Sequence, residues 1–144
     1  MKKILVPIDG SDYSMKAIEK AKEIAKPFGA EVELLHVLHT TGHFVTTSSS
    51  SESVLSEIER QLKIHSEESL EEAKAAFKDT GISVTATTLD GYPPDVIVDY
   101  AQEHGFDLII MGSNGLNSSF KRVFLGSVTN RVAHNATTPL LIVK

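Results

Sequence analysis

Residues 107–115 read DLIIMGSNG, four apolar side chains in a row closed by a glycine, two short polar residues and a second glycine. A run this short and this apolar, bounded by turn residues, suits a strand buried on both faces, as in a parallel sheet. Similar runs recur along the chain: ILVPI at 4–8, VELLHVL at 32–38, and PLLIV at 139–143. VTATTL at 84–89 alternates instead and suits an edge strand.

Helical patterns separate these runs. Between Ser11 and Phe28, residues Ala17, Ile18, Ala21, Ile24 and Ala25 share one face, and Gly29 offers a stop. A second, longer helix is expected over about 52–79, with Leu55, Ile58, Leu62, His65, Leu70, Ala73 and Phe77 along its inner side and a turn at Thr80-Gly81. A third should follow GYPP, whose prolines fit first-turn positions, and carry Val96, Ile97, Tyr100 and Ala101 inward until Gly105. A fourth is expected from Val128 to Asn135. Strict alternation of five strands and four helices implies an α/β fold, a doubly wound five-stranded parallel sheet with helices on both faces.

At 144 residues the chain fits a single domain over 1–144, able to bury roughly 68–70% of its unfolded surface. The segment 39–53, HTTGHFVTTSSSSES, reads as a flexible insert. A formal net charge of −5 without a dense basic block argues against nucleic acid as the main partner. The absence of cysteine removes disulfides, thiolate metal sites and cysteine nucleophiles. No run approaches membrane-spanning length, and the apolar stretch after Lys2-Lys3 is too short for a secretory leader. A cytoplasmic protein away from membranes is therefore expected.

Doubly wound sheets bind ligands outside the carboxyl ends of their strands, where strand order reverses. The ends in question carry Pro7-Ile8-Asp9, His36-Val37-Leu38 and Met111-Gly112-Ser113. The stretch that follows the last of these, GSNGLNSSFKRVFLGS over 112–127, has no apolar period. Gly112 and Gly115 would allow positive φ and close backbone approach, and Gly126-Ser127 opens a helix whose free N–H groups favour an anion. Ser113, Asn117, Ser118, Ser119 and Ser127 add donors, and Lys121 and Arg122 add positive charge. Each feature has an ordinary alternative: a helix cap at Gly126-Ser127, a solvated Lys121-Arg122 pair, a turn at Asp9 with Ser11 or Asp12 capping the first helix. Neither a P-loop nor a dinucleotide G-x-G-x-x-G fingerprint occurs.

Together, ILVPIDGSDYSMKAIEKA, VELLHV, DLIIMGSNG and GSVTNRVAHNATTPLLIVK resemble the universal stress protein family across nearly the whole chain. Many members bind ATP through the pattern G-x-x-G, nine residues, G-[ST]. Gly112, Gly115, Gly126 and Ser127 fit its anchors, although ten residues separate Gly115 from Gly126, the extra one expected within 118–121. The resemblance implies a Rossmann-like sheet of order 3-2-1-4-5, similar to the adenine nucleotide α-hydrolases. It also implies that Asp9 reads the adenine amino group, that Val37 lends main-chain hydrogen bonds, and that Pro7 and Met111 line the base pocket. Gly112 and Gly115 would pack on ribose and phosphates, with Ser127 and the Val128 N–H holding phosphate oxygens. Ile8, Ser113, Asn114, Asn117 and Ser118 complete the expected nucleotide-binding set. A homodimer through the last strand, 139–143, follows both from the resemblance and from that strand's uncharged, unpaired edge.

His36, His39 and His43 raise the question of a metal, but His36 and His39 point to opposite faces of a strand and no carboxylate lies close in sequence. No metal site is assigned, and His36 is expected as a partly buried ring near the nucleotide. Mg²⁺ would arrive with ATP, held by phosphates and water. No catalytic constellation is legible, so at most weak ATP hydrolysis is expected. The function implied is that of an ATP-binding, dimeric regulatory or stress-response module with an unidentified protein partner. The alternative is an interaction module of the same fold without nucleotide.

Overall fold

The computed structural model describes residues 1–39, 52–116 and 124–144. The serine-rich segment 40–51, and with it His43, lies outside the described residues, as do Asn117, Ser118, Ser119, Lys121, Arg122 and the place of the extra loop residue. The described elements run β1 (Lys3–Pro7), α1 (Asp12–Phe28), β2 (Glu31–Leu38), α2 (Glu52–Ala75), β3 (Val84–Asp90), α3 (Pro93–Glu103), β4 (Leu108–Gly112), α4 (Ser127–Asn135) and β5 (Leu140–Val143).

All strand pairs are parallel and the order is β3-β2-β1-β4-β5, so the order reverses between β1 and β4. The continuous apolar runs are explained by burial on both faces. Ile4, Val6, Val32, Leu34, Leu108 and Ile110 point to one layer with Ala17, Ile18, Ala21 and Ala25 of α1 and Leu70 and Ala73 of α2. Leu5, Leu35, Ile109 and Met111 point to the other with Ile97 and Ala101 of α3 and Val132 of α4. The alternating strand is β3, at one edge as its pattern suggests, and β5 forms the other.

Helix ends follow local chemistry. The Ser11 hydroxyl accepts from Ser14 N–H at 3.2 Å and caps α1, and Gly29 closes it at φ 62°. Pro93 and Pro94 occupy the first positions of α3. That helix is tied to the sheet by Tyr100, whose hydroxyl donates to Glu33 Oε1 at 2.6 Å. Asp107 caps the start of β1, accepting from Lys2 and Lys3 N–H at 2.6 and 2.9 Å.

Helix α2 departs from its expected inner side. Ser66, Leu70 and Ala73, with Phe77 beyond the helix end, are buried, whereas Ile58 and Leu62 are about half exposed. The helix ends at Ala75 rather than near 79, and residues 76–79 form turns with Asp79 at φ 61°. At 24 residues, about 36 Å long, α2 outruns the seven to eight residues of β2 and β3, roughly 23–26 Å, so only its C-terminal half finds sheet to cover.

Gly112 is held by packing. A Cβ there would lie 2.7 Å from the backbone carbon and oxygen of Tyr13, so α1 crosses β4 closely only because that position has no side chain. Neither Gly112 nor Gly115 has positive φ, contrary to the turn expected from the sequence; close approach, not turn geometry, selects glycine here. Gly112→Ala is expected to cost roughly 1–3 kcal/mol in urea unfolding, as overpacking does. An unchanged midpoint would mean that α1 shifts freely.

Candidate functional site

A cavity of about 840 Å³ opens at the carboxyl edge of the sheet, at the switch point between β1 and β4. Its floor is made by Pro7, Ile8 and Asp9 after β1, Leu35 and Val37 of β2, and Met111 and Gly112 of β4. One wall is Pro93 and Ile97 of α3. The opposite side carries Asn114, Gly115 and Leu116, then Phe124, Leu125 and Gly126, and ends on Ser127, Val128 and Thr129 of α4.

Two groups of polar atoms face this space. In β2, Glu31 N–H donates to Lys2 O and Leu35 O accepts from Ile8 N–H, so odd-numbered residues turn their backbone toward β1. Val32 N–H donates to Ser83 O, so even-numbered ones turn toward β3. Pairing with β1 ends at Pro7↔Leu35. Val37, next in the odd series, therefore presents an amide and a carbonyl without a partner strand. Asp9 stands beside it; its Oδ1 accepts from Ser11 N–H at 2.9 Å, and its Oδ2 lies 2.7 Å from where a Cβ on Gly115 would be. The turn and the cavity-wall roles of Asp9 coexist, one oxygen serving each.

The second group is the start of α4. Its N-cap is Gly126, which supplies no side-chain cap, so the first N–H groups of the helix open onto the cavity with the helix dipole behind them. Gly126 N–H donates to Ser113 O at 2.8 Å, Ser113 N–H to Val143 O at 2.8 Å, and Thr129 Oγ1 to Gly112 O at 2.8 Å. The first and third fasten α4 to the end of β4, and the second joins that end to β5.

The structure brings Pro7, Ile8, Asp9, Val37, Met111, Gly112, Asn114, Gly115, Gly126, Ser127 and Val128 around one cavity. Ser113 is not in the wall: it is buried, with its amide and carbonyl both engaged. Sequence reasoning missed Ser14, Leu35, Pro93, Ile97, Thr129 and the apolar loop stems Leu116, Phe124 and Leu125. Ile97 was legible as an inward residue but not as a wall residue, because only the strand order places α3 beside α4. The loop stems carry no periodic signal.

His36 is partly buried, as expected, but its ring is not in the cavity wall: strand alternation sends Leu35 and Val37 into the cavity and His36 to the α2 layer. There its Nδ1 lies 2.9 Å from Ser66 Oγ. Burial holds the imidazole below its ordinary value near 6.5, the Asp9 charge opposing and His65 adding to the shift. His39 lies across the sheet, its ring 5.7 Å from Tyr92. No group of three or more possible metal-binding side chains occurs among the described residues.

The fold and cavity define a doubly wound α/β protein with a large cavity at the carboxyl edge of its sheet. The chain belongs to the universal stress protein family, whose model matches residues 1–144. It is 38% identical over 148 residues to Universal stress protein YxiE of Bacillus subtilis, spanning 99% of this chain and 98% of that one. Among solved structures, it resembles UspA from Lactobacillus plantarum with a TM-score of 0.87 at 28% identity, covering 99% and 97% of the two chains. It also resembles a universal stress protein from Archaeoglobus fulgidus in complex with dAMP, with a TM-score of 0.74 at 26% identity over 100% and 98%. No described helix is long and apolar enough to cross a membrane.

The His36 geometry has a pH consequence. Because its folded value is depressed, the unfolded state binds more protons below about pH 6.5, so this group's contribution falls as pH falls through that value. His36→Gln is expected to flatten the loss of thermal midpoint between about pH 8 and about pH 5.5. An identical slope in the variant would contradict the burial argument.

Proposed function

We propose that this protein binds ATP in the switch-point cavity and serves as a cytoplasmic, dimeric regulatory module whose nucleotide state is read by a protein partner. The observation that carries the reading is the placing of two complementary polar groups at the ends of one largely apolar cavity. The donor–acceptor pair of Val37 and the Asp9 carboxylate suit the edge of adenine, whose amino group donates and whose ring nitrogens accept. The uncapped start of α4, with Ser127 and the Val128 N–H, suits phosphate oxygens. The aliphatic walls between them, Ile8, Leu35, Met111 and Ile97, suit the faces of a base. The dAMP complex of the Archaeoglobus relative supports an adenine nucleotide for this fold.

Asp9 is the only acidic side chain among the described lining residues, so Mg²⁺ would be carried by the phosphates and water. That leaves no second carboxylate beside it to activate water, and binding rather than turnover is the chemistry proposed. The dimer rests on β5, an edge strand whose Leu140, Leu141, Ile142 and Val143 are all only partly buried in the single chain.

A nucleotide-free interaction module is the second reading. It draws on the absence of any basic side chain among the described lining residues and on the ten-residue spacing of the loop.

Denaturing the purified protein and chromatographing the supernatant should release adenine nucleotide, and calorimetry should show ATP binding with Mg²⁺ present. Asp9→Ala should weaken it on the order of tenfold to a hundredfold, the worth of a hydrogen bond to a charged group. Neither released nucleotide nor binding at about millimolar ATP, a Kd equivalent to only about 4 kcal/mol, would favour the second reading. In sedimentation, Leu141→Lys should convert a dimer to a monomer; an undisturbed dimer would remove β5 as the interface.

A further inference from the structure

The geometry points to Ser69 and His65 of α2 as positioning residues that set the place of Asp9 from outside the cavity. Neither lines the cavity wall. Gly10, next to Asp9, has φ 80°, and a Cβ on it would lie 3.1 Å from Ser69 Oγ and 3.8 Å from His65 Nε2. Helix α2 thus abuts the Asp9-Gly10 turn closely from the layer opposite α3 and α4. That part of α2 is firmly seated: Ser66 and Leu70 are buried on either side of Ser69, and Ser66 Oγ meets the His36 ring.

On its other side Asp9 is equally confined. Its Oδ2 occupies the space a Cβ on Gly115 would take, and its Oδ1 accepts from Ser11 N–H. Ser69, Gly10, Asp9 and Gly115 are therefore neighbours in series, with no room for a side chain on either glycine, and they link α2 to the glycine loop. The missing side chains at Gly10 and Gly115 are what make the series short. A site group is only as well placed as the shell behind it, and here that shell is α2.

The chemical consequence is base selectivity. A carboxylate oxygen facing the base edge accepts from the amino group of adenine and repels the carbonyl that guanine presents at the same place. Displacing Asp9 weakens both effects, so α2 governs how strongly the site prefers ATP over GTP. This inference rests on the nucleotide reading of Asp9.

Ser69→Val tests it, because the bulkier side chain grows into the space beside Gly10, where there is so little room that a Cβ on that glycine would lie 3.1 Å from Ser69 Oγ. In the ligand-free protein the Ser11 and Gly115 amide resonances should move, and calorimetry should show the ATP-to-GTP affinity ratio narrowed about tenfold, the scale expected for sub-ångström misplacement. Glu68→Val, an exposed neighbour on the same helix, should leave resonances and ratio as they were and so controls for a β-branched residue in α2. Ser11 and Gly115 resonances that stay in place in Ser69→Val would overturn the inference. So would a ratio that stays at the wild-type value despite moved resonances. A wild-type protein that binds neither nucleotide defeats the reading of the cavity instead, and the amide shifts then decide alone whether α2 positions Asp9.

Discussion

The hydrogen bond from Gly126 N–H to Ser113 O, 2.8 Å long, brings the beginning of α4 back to the end of β4. It acts together with Val132 of α4, which is buried against the sheet beside Ile109 and Met111. With both in place, the N–H groups of α4 stand at the switch point and face the floor laid down by β1, β2 and β4. Ser113 N–H on Val143 O and Thr129 Oγ1 on Gly112 O brace the same corner, which is why Ser113 is buried beneath the site rather than exposed in it. Close packing needs small residues at this corner. Gly126 has Asn114 Cα 3.2 Å from the position of a Cβ, and Gly112 has the Tyr13 backbone at 2.7 Å.

The same economy governs the opposite end of the cavity. Parallel pairing stops at Pro7 because the chain turns away at Gly10, and that stop is what exposes the backbone of Val37. Asp9 occupies the vacated edge and is held by one oxygen to Ser11 while the other faces Gly115. The result is a mostly aliphatic space with its polar atoms collected at two places, a distribution suited to a ligand with a flat heteroaromatic end and an anionic end.

Much of the fold is legible in the chain because both-face burial writes itself as unbroken apolar runs and edge position writes itself as alternation. DLIIMG and VTATTL are read correctly for that reason. Helix α2 is read less well, since an amphipathic pattern reports a face able to be buried and not the length of sheet available to bury it; Ile58 and Leu62 fit the pattern and are exposed. Among the cavity-lining residues, those at strand ends and at the start of α4 are legible from the carboxyl-edge rule together with the family resemblance. Pro93 and Phe124 are not, because their place in the wall depends on how distant elements meet. Gly112 shows that a correct position can carry a different reason: its lack of a side chain answers to Tyr13 of α1, whatever else it touches.

The central claim is that one ligand spans from Val37 to the start of α4. Amide resonances followed through an ATP titration test it directly. Val37, Gly115 and Val128 should shift together along a single saturation curve, with Thr85 on the outer strand unmoved. Separate curves for Val37 and Val128, or a Val37 amide indifferent to ATP, would contradict it.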